Sequence, residues 1–194
     1  VVSCAWLAGC AMPGAGAPPA AAPDLQRETR HGPVVGQDDA ATNGTWSWKG
    51  VPFAAAPVGE LRWRAPQDPP RWSAPRPAQA FAPACVQSNR LYGPGLNNRY
   101  DETIGRSLGQ TVGAEDCLAL NIWTPASRPA KPRPVLVFVH GGSNITGYTA
   151  DPVYDGATLA REQDLVVVTV NYRLGVFGFL ESQPLKTGRR DEDS

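Results

Sequence analysis

The stretch PVLVFVHGGSNITG, residues 134–147, decides the fold. Five consecutive apolar residues, Val135–Val139, lead straight into His140-Gly141-Gly142-Ser143. An unbroken run of that length and composition predicts a parallel strand covered on both faces. The glycines that follow carry no Cβ, so backbone N–H groups there can approach a bound molecule closely. Amides held in that way are the donors of an oxyanion hole, which stabilises the negative oxygen of a tetrahedral acyl-transfer intermediate. A tight strand-to-loop turn without chemistry is the competing reading.

Working outward, LVVVTVN, residues 165–171, predicts a second buried parallel strand. Between the two strands, residues 151–155 form a turn, with Asp155 placed as a helix N-cap. Residues 157–163 then predict a short helix with Leu159 as its apolar contact. Strand, glycine turn, helix and strand make a βαβ unit, whose crossover is almost always right-handed. Upstream, residues 121–124 end another strand, and 125–134 form a proline-and-lysine loop. Nearer the start, residues 32–37 and 45–49 read as two short strands of a hairpin around Asn43-Gly44.

With 194 residues the chain has room for one domain with a real core. Acids and bases balance at 18 each and are interspersed, which gives no nucleic-acid stripe and no polybasic membrane patch. Glycine and proline, 20 residues each, mark loops and a linker. No run reaches the apolar length of a membrane span.

The opening VVSCAWLAGC reads as the end of a secretory signal. Leu7-Ala8-Gly9-Cys10 resembles a bacterial lipobox, in which the Cys10 sulfur would receive a lipid. Residues 11–23 are small and proline-rich, as a tether should be. A chance small-residue run before a free Cys is the alternative. Export to the bacterial cell envelope or beyond is the expected location, with membrane attachment through Cys10. Ordered structure is expected from about Arg30, after a leader and linker over 1–29.

KGVPFAAAPVGELRW, residues 49–63, resembles the F-x-G-I-P-Y-A-x-P-P-x-G-x-L-R-F signature of type B carboxylesterases. Phe53 stands for the signature Tyr and Trp63 for its last Phe. Cys85-Val86-Gln87, residues 115–123 (EDCLALNIW), and residues 171–175 and 178–180 resemble further segments of that family. The resemblance runs from about Gly32 to Leu180, so residues 30–182 are taken as the N-terminal part of such a domain. It implies an incomplete α/β-hydrolase fold: a small N-terminal antiparallel β region plus the first strands of a central mixed sheet. The implied activity is carboxylic ester hydrolysis through an acyl-enzyme, on a small-molecule ester, with no cofactor.

Residue by residue, the resemblance implies a Cys85–Cys117 disulfide, for which two reduced thiols are the alternative. It implies an Arg62–Glu115 ion pair, against two solvated charges. It implies oxyanion donors at the Gly142 and Ser143 amides, with Gly141 shaping the approach and Ser143 replacing the usual third glycine. Gly105-Arg106-Ser107-Leu108-Gly109 matches the G-x-S-x-G pattern of a hydrolase nucleophile. However, residues 99–113 offer no buried strand leading in, so Ser107 is taken as a chance match. The chain has two histidines, His31 at the threshold and His140 in the turn, and neither suits a catalytic base. Nucleophile, base and acid of the family would lie beyond residue 194, as would the acid partner implied for Arg173. The expectation is therefore an N-terminal fragment of a secreted or lipid-anchored serine carboxylesterase, inactive alone. The alternative is an esterase-like lipoprotein that binds without catalysis. Residues 183–194 read as a solvated polar tail.

Overall fold

The computed structural model describes residues 25–90, 93–189 and 192–193. Cys10 and the linker after it lie outside the described residues. In chain order the strands are β1 (Gln26–Glu28), β2 (Pro33–Val35), β3 (Gln37–Asp39), β4 (Thr45–Pro52) and β5 (Arg76–Pro77). They continue as β6 (Gln87–Ser88), β7 (Thr111–Val112), β8 (Ala119–Pro125), β9 (Val135–Val139) and β10 (Val166–Val170). Three short helices are α1 (Ala40–Asn43), α2 (Ala157–Gln163) and α3 (Gly175–Phe179).

The main sheet has the order β3-β4-β8-β10-β9. Its neighbours are antiparallel except β10 and β9, which run parallel with Val168 opposite Val137. This is the expected mixed sheet. β8 alternates: Ala119, Asn121, Trp123 and Pro125 are buried, while Leu120, Ile122 and Thr124 are half-buried on the other face. Trp123 packs with Val167 of β10 and with Ala157 and Ala160 of α2, the core between helix and sheet. The second core joins Leu25, Val34, Trp48, Val51 and Ala78 around the small sheet β1-β2-β5.

Several expectations change in three dimensions. Ordered structure precedes Arg30, because Leu25 is buried and β1 pairs with β2. The hairpin partner of β4 is β3, one turn later than expected, and β2 leaves for the small sheet. Leu159 is exposed, and the small Ala157 and Ala160 make the helix contact instead, which lets α2 lie close on Trp123. Asp155 stands one residue before the N-cap Gly156, and its carboxylate accepts from the Ala157 amide at 2.8 Å.

The largest change concerns β9. All five of its residues are exposed, from 37% at Phe138 to 62% at Val135. β10, not β9, takes the interior place next to β8, so β9 forms the apolar edge of the sheet. Its composition is that of a covered strand, yet one face carries only partial cover, with the Tyr154 ring 5.1 Å from the Phe138 ring, and Val135, Val137 and Val139 on the other face are 62%, 61% and 59% exposed.

The polar tail is not simply solvated. The Ala65 amide donates to Glu192 O at 2.9 Å, and Arg64 reaches Leu185 O at 2.8 Å and the Asp193 carboxylate at 3.5 Å. Asp193 in turn accepts from the Thr187 and Gly188 amides. These bonds, and the nearby positive charge, hold its carboxyl below the usual carboxylate range. A charged segment docks here because an arginine and a free backbone amide already wait at 64 and 65.

Candidate functional site: the glycine turn at the end of β9

β9 ends at Val139, and the chain reverses through residues 140–147. His140 is 3% exposed although it opens the turn. Its ring stacks on Tyr172 at 4.6 Å and lies 6.3 Å from Tyr154, and its carbonyl accepts from the Tyr172 hydroxyl at 2.9 Å. Nδ1 faces Gly141 O at 3.0 Å, so the neutral ring with the proton on Nδ1 donates there. Burial pushes the imidazole pKa below its ordinary 6.5, opposed by that carbonyl. His140 is thus a wedge that fixes the start of the turn, and no serine lies among its hydrogen-bond partners.

Beyond it, Gly142 has φ 125°, Ser143 φ 55° and Asn144 φ 60°. A side chain at Gly142 is excluded, since a Cβ there would stand 2.0 Å from Thr146 O. At Gly141, by contrast, a Cβ would meet nothing within 4 Å. The Ile145 and Thr146 amides both donate to Gly142 O, and Gly175 N donates to Asn144 O at 2.7 Å, tying the turn to α3. Among the described residues, no acceptor is found for the Gly141, Gly142 or Ser143 amides. Gly141 and Ser143 are exposed. Just past the carboxyl end of β9 the turn thus carries three consecutive N–H groups with no acceptor among the described residues.

The residues that support the turn come from far away in sequence. Cys85 and Cys117 are joined by a disulfide and are almost wholly buried. Arg62 meets Glu115 through two bonds of 2.5 Å each and lies over the rings of Trp63 and Phe177. Trp63 donates from its indole to Val176 O at 2.7 Å, so residues 62–63 clamp α3, which in turn holds Asn144. Arg173 donates to Arg64 O at 2.9 Å, and burial lowers its pKa. Among the described residues no carboxylate pairs with it. Ser107 is fully buried in a run of turns, bonded to the Asn89 amide, with no strand before it. It has none of the exposure that a nucleophile requires. His31, beside Trp72 and 3.9 Å from Asp68, is likewise remote from the turn in its contacts.

The sequence reading missed Gln87. It is 4% exposed and makes four hydrogen bonds, three of them to Thr146 and Gly147. The only signal in the sequence was its place in Cys85-Val86-Gln87. A 530 Å³ concavity on the sheet face, floored by Trp46, Trp48, Val51, Ile122 and Val166, shares no lining residue with the turn.

The chain is similar to known proteins in sequence and in fold. A model of the Carboxylesterase family matches residues 23–187. The chain is 40% identical over 152 residues to a para-nitrobenzyl esterase of Bacillus subtilis (strain 168), covering 78% of this chain and 28% of that protein. It is 42% identical over 175 residues to a fumonisin B1 esterase of Sphingopyxis macrogoltabida, covering 87% and 29%. A solved thermophilic PNB esterase superposes with a TM-score of 0.70 at 36% identity, over 84% of this chain and 30% of that one. A carboxylesterase of Geobacillus stearothermophilus gives 0.63 at 39%, over 80% and 28%. The chain thus spans less than a third of the length of each of these relatives. Its mixed sheet is part of the α/β-hydrolase fold that the solved esterases carry whole. With the family model covering most of its length, this chain belongs to the carboxylesterase family.

Proposed function

We propose that these residues form the N-terminal portion of a serine carboxylesterase and supply part of its oxyanion hole. The carrying observation is the turn at 141–143, whose amides have no acceptor among the described residues while Gly142 sits at φ 125°. The Gly142 and Ser143 N–H groups donate to the carbonyl oxygen of a small-molecule ester as it becomes an oxyanion. Donors fixed before reaction need no reorganisation during it, and losing one costs about 10²–10³ in rate. Ser143 keeps its N–H but adds a hydroxyl where the acyl group approaches.

A serine esterase also needs a nucleophile, a base within hydrogen-bond reach and an acid to orient the base. His140 is committed to the turn, and Ser107 is buried. These residues on their own are therefore inactive, and the attacking group comes from sequence beyond them. A chimera tests this: residues 25–187 joined to the remaining two-thirds of the para-nitrobenzyl esterase. The chain alone should not hydrolyse a p-nitrophenyl ester, the chimera should, and Gly142→Ala should remove the chimera's activity. Hydrolysis by the 194-residue chain itself refutes the proposal. A folded but inactive chimera refutes the catalytic reading and favours a binding module.

Export belongs to the same proposal, with Cys10 as the lipid-bearing residue. The Leu7-Ala8-Gly9-Cys10 pattern supports it, as does a disulfide of the kind that forms in oxidising compartments. Radiolabelled palmitate should enter the chain and not its Cys10→Ala variant. Equal labelling of both rejects the assignment.

A further inference from the structure

We infer that Gln87 is the residue that positions the glycine turn. It sits 60 residues before Gly147 in the chain, yet its carboxamide engages both polar groups of Gly147: Oε1 accepts from Gly147 N at 2.9 Å, and Nε2 donates to Gly147 O at 2.9 Å. Oε1 also accepts from the Thr146 hydroxyl at 2.8 Å, and Nε2 donates to Cys85 O at 3.0 Å. With two donors and an acceptor of two lone pairs, the primary amide is fully used. No other side chain has that combination at this reach: a carboxylate lacks the donors, and asparagine is shorter by one methylene.

The bonds transmit to the amides by contact. Thr146 O stands against Gly142, so closely that a Cβ would be 2.0 Å from it, and it is this contact that sets the Gly142 backbone. Gly147 lies against the His140 ring, with a Cβ position 2.4 Å from Nδ1. Gln87 thus holds 146 and 147, these fix 142 and 140, and with them the placement of the Gly142 and Ser143 N–H groups. The disulfide at Cys85 anchors the carbonyl on the other side of the carboxamide. Gln87 is a positioning residue and not a catalytic one. It reaches no exposed part of the turn.

The catalytic meaning of this arrangement rests on the oxyanion reading, but its test does not use activity. In the ¹⁵N-labelled full chain, Gln87→Glu introduces a carboxyl that donates to Gly147 O only when protonated. The Gly142 and Ser143 amide resonances should be displaced at neutral pH and return toward their wild-type positions as that carboxyl takes up its proton. Amides of β4 and β8 should stay in place. Should the buried charge prevent folding, Gln87→Met keeps the length and apolar stem without the bonds. It should raise amide exchange at Gly147 about tenfold and displace the same two resonances. Folded variants whose Gly142 and Ser143 resonances neither move nor titrate overturn the inference, whatever the chimera does. An inactive chimera with titrating resonances overturns only the oxyanion reading.

Discussion

Replacing both Cys85 and Cys117 by alanine should cost the domain a large part of its stability, and the structure gives the size. The bridge closes 32 residues of chain. In the chain-entropy account a loop of that length removes enough freedom from the unfolded chain to contribute roughly 3.7 kcal/mol. Single domains are stable by only about 5–15 kcal/mol, so the variant sits near its limit. With a urea slope of about 2 kcal/mol per molar, the unfolding midpoint should fall by roughly 2 M at unchanged slope. Both residues are at most 3% exposed, so dithiothreitol without denaturant should reduce the native bridge only as fast as the region opens. The loop includes Gln87 and ends beside Leu118 and Leu174, so looser chain here also frees the turn. A midpoint lowered by less than about 0.3 M would refute the reasoning, since the loop's freedom would then be restricted by something other than the bridge.

Gly142→Ala, with φ 125° and Thr146 O in the way, should lower unfolding free energy by about 3 kcal/mol, whereas Gly141→Ala should change it by less than about 0.5; equal urea midpoints for the two would contradict the turn geometry. His140 has a depressed folded pKa, so the unfolded chain binds the extra proton between that value and 6.5. Stability should accordingly be fully present above 6.5 and decline as pH falls through this window, and His140→Gln should flatten the decline; matching pH profiles for both proteins count against it. Arg62→Met removes the Glu115 partner and the cation over Trp63 and Phe177. Its Tm should fall, more at low salt than at high, and a Tm equal to wild type marks Arg62 and Glu115 as independent surface charges.

Local chemistry in the sequence was enough for β9, α2 and β10, whose bounds follow from unbroken apolar runs and helix-compatible spacing. It was enough as well for the glycine turn, because a φ of 125° requires glycine wherever the chain goes next. The cysteine pair and the Arg62–Glu115 contact were legible only through likeness to a family, since nothing in either residue names its partner. Tertiary structure alone decided the rest. Placing β10 beside β8 sends β9 to the edge, and burial depends on what lies across a strand, not on the strand's own side chains. Gln87 looks like any polar residue after a cysteine until folding brings Gly147 to its carboxamide. The tail looked solvated because charge prefers water, yet an arginine and an unpaired amide at 64 and 65 compete with water once they stand within reach. Periodicity and backbone angle are properties of a few neighbouring residues, whereas edges, partners and coverage are properties of chain segments meeting across long separations.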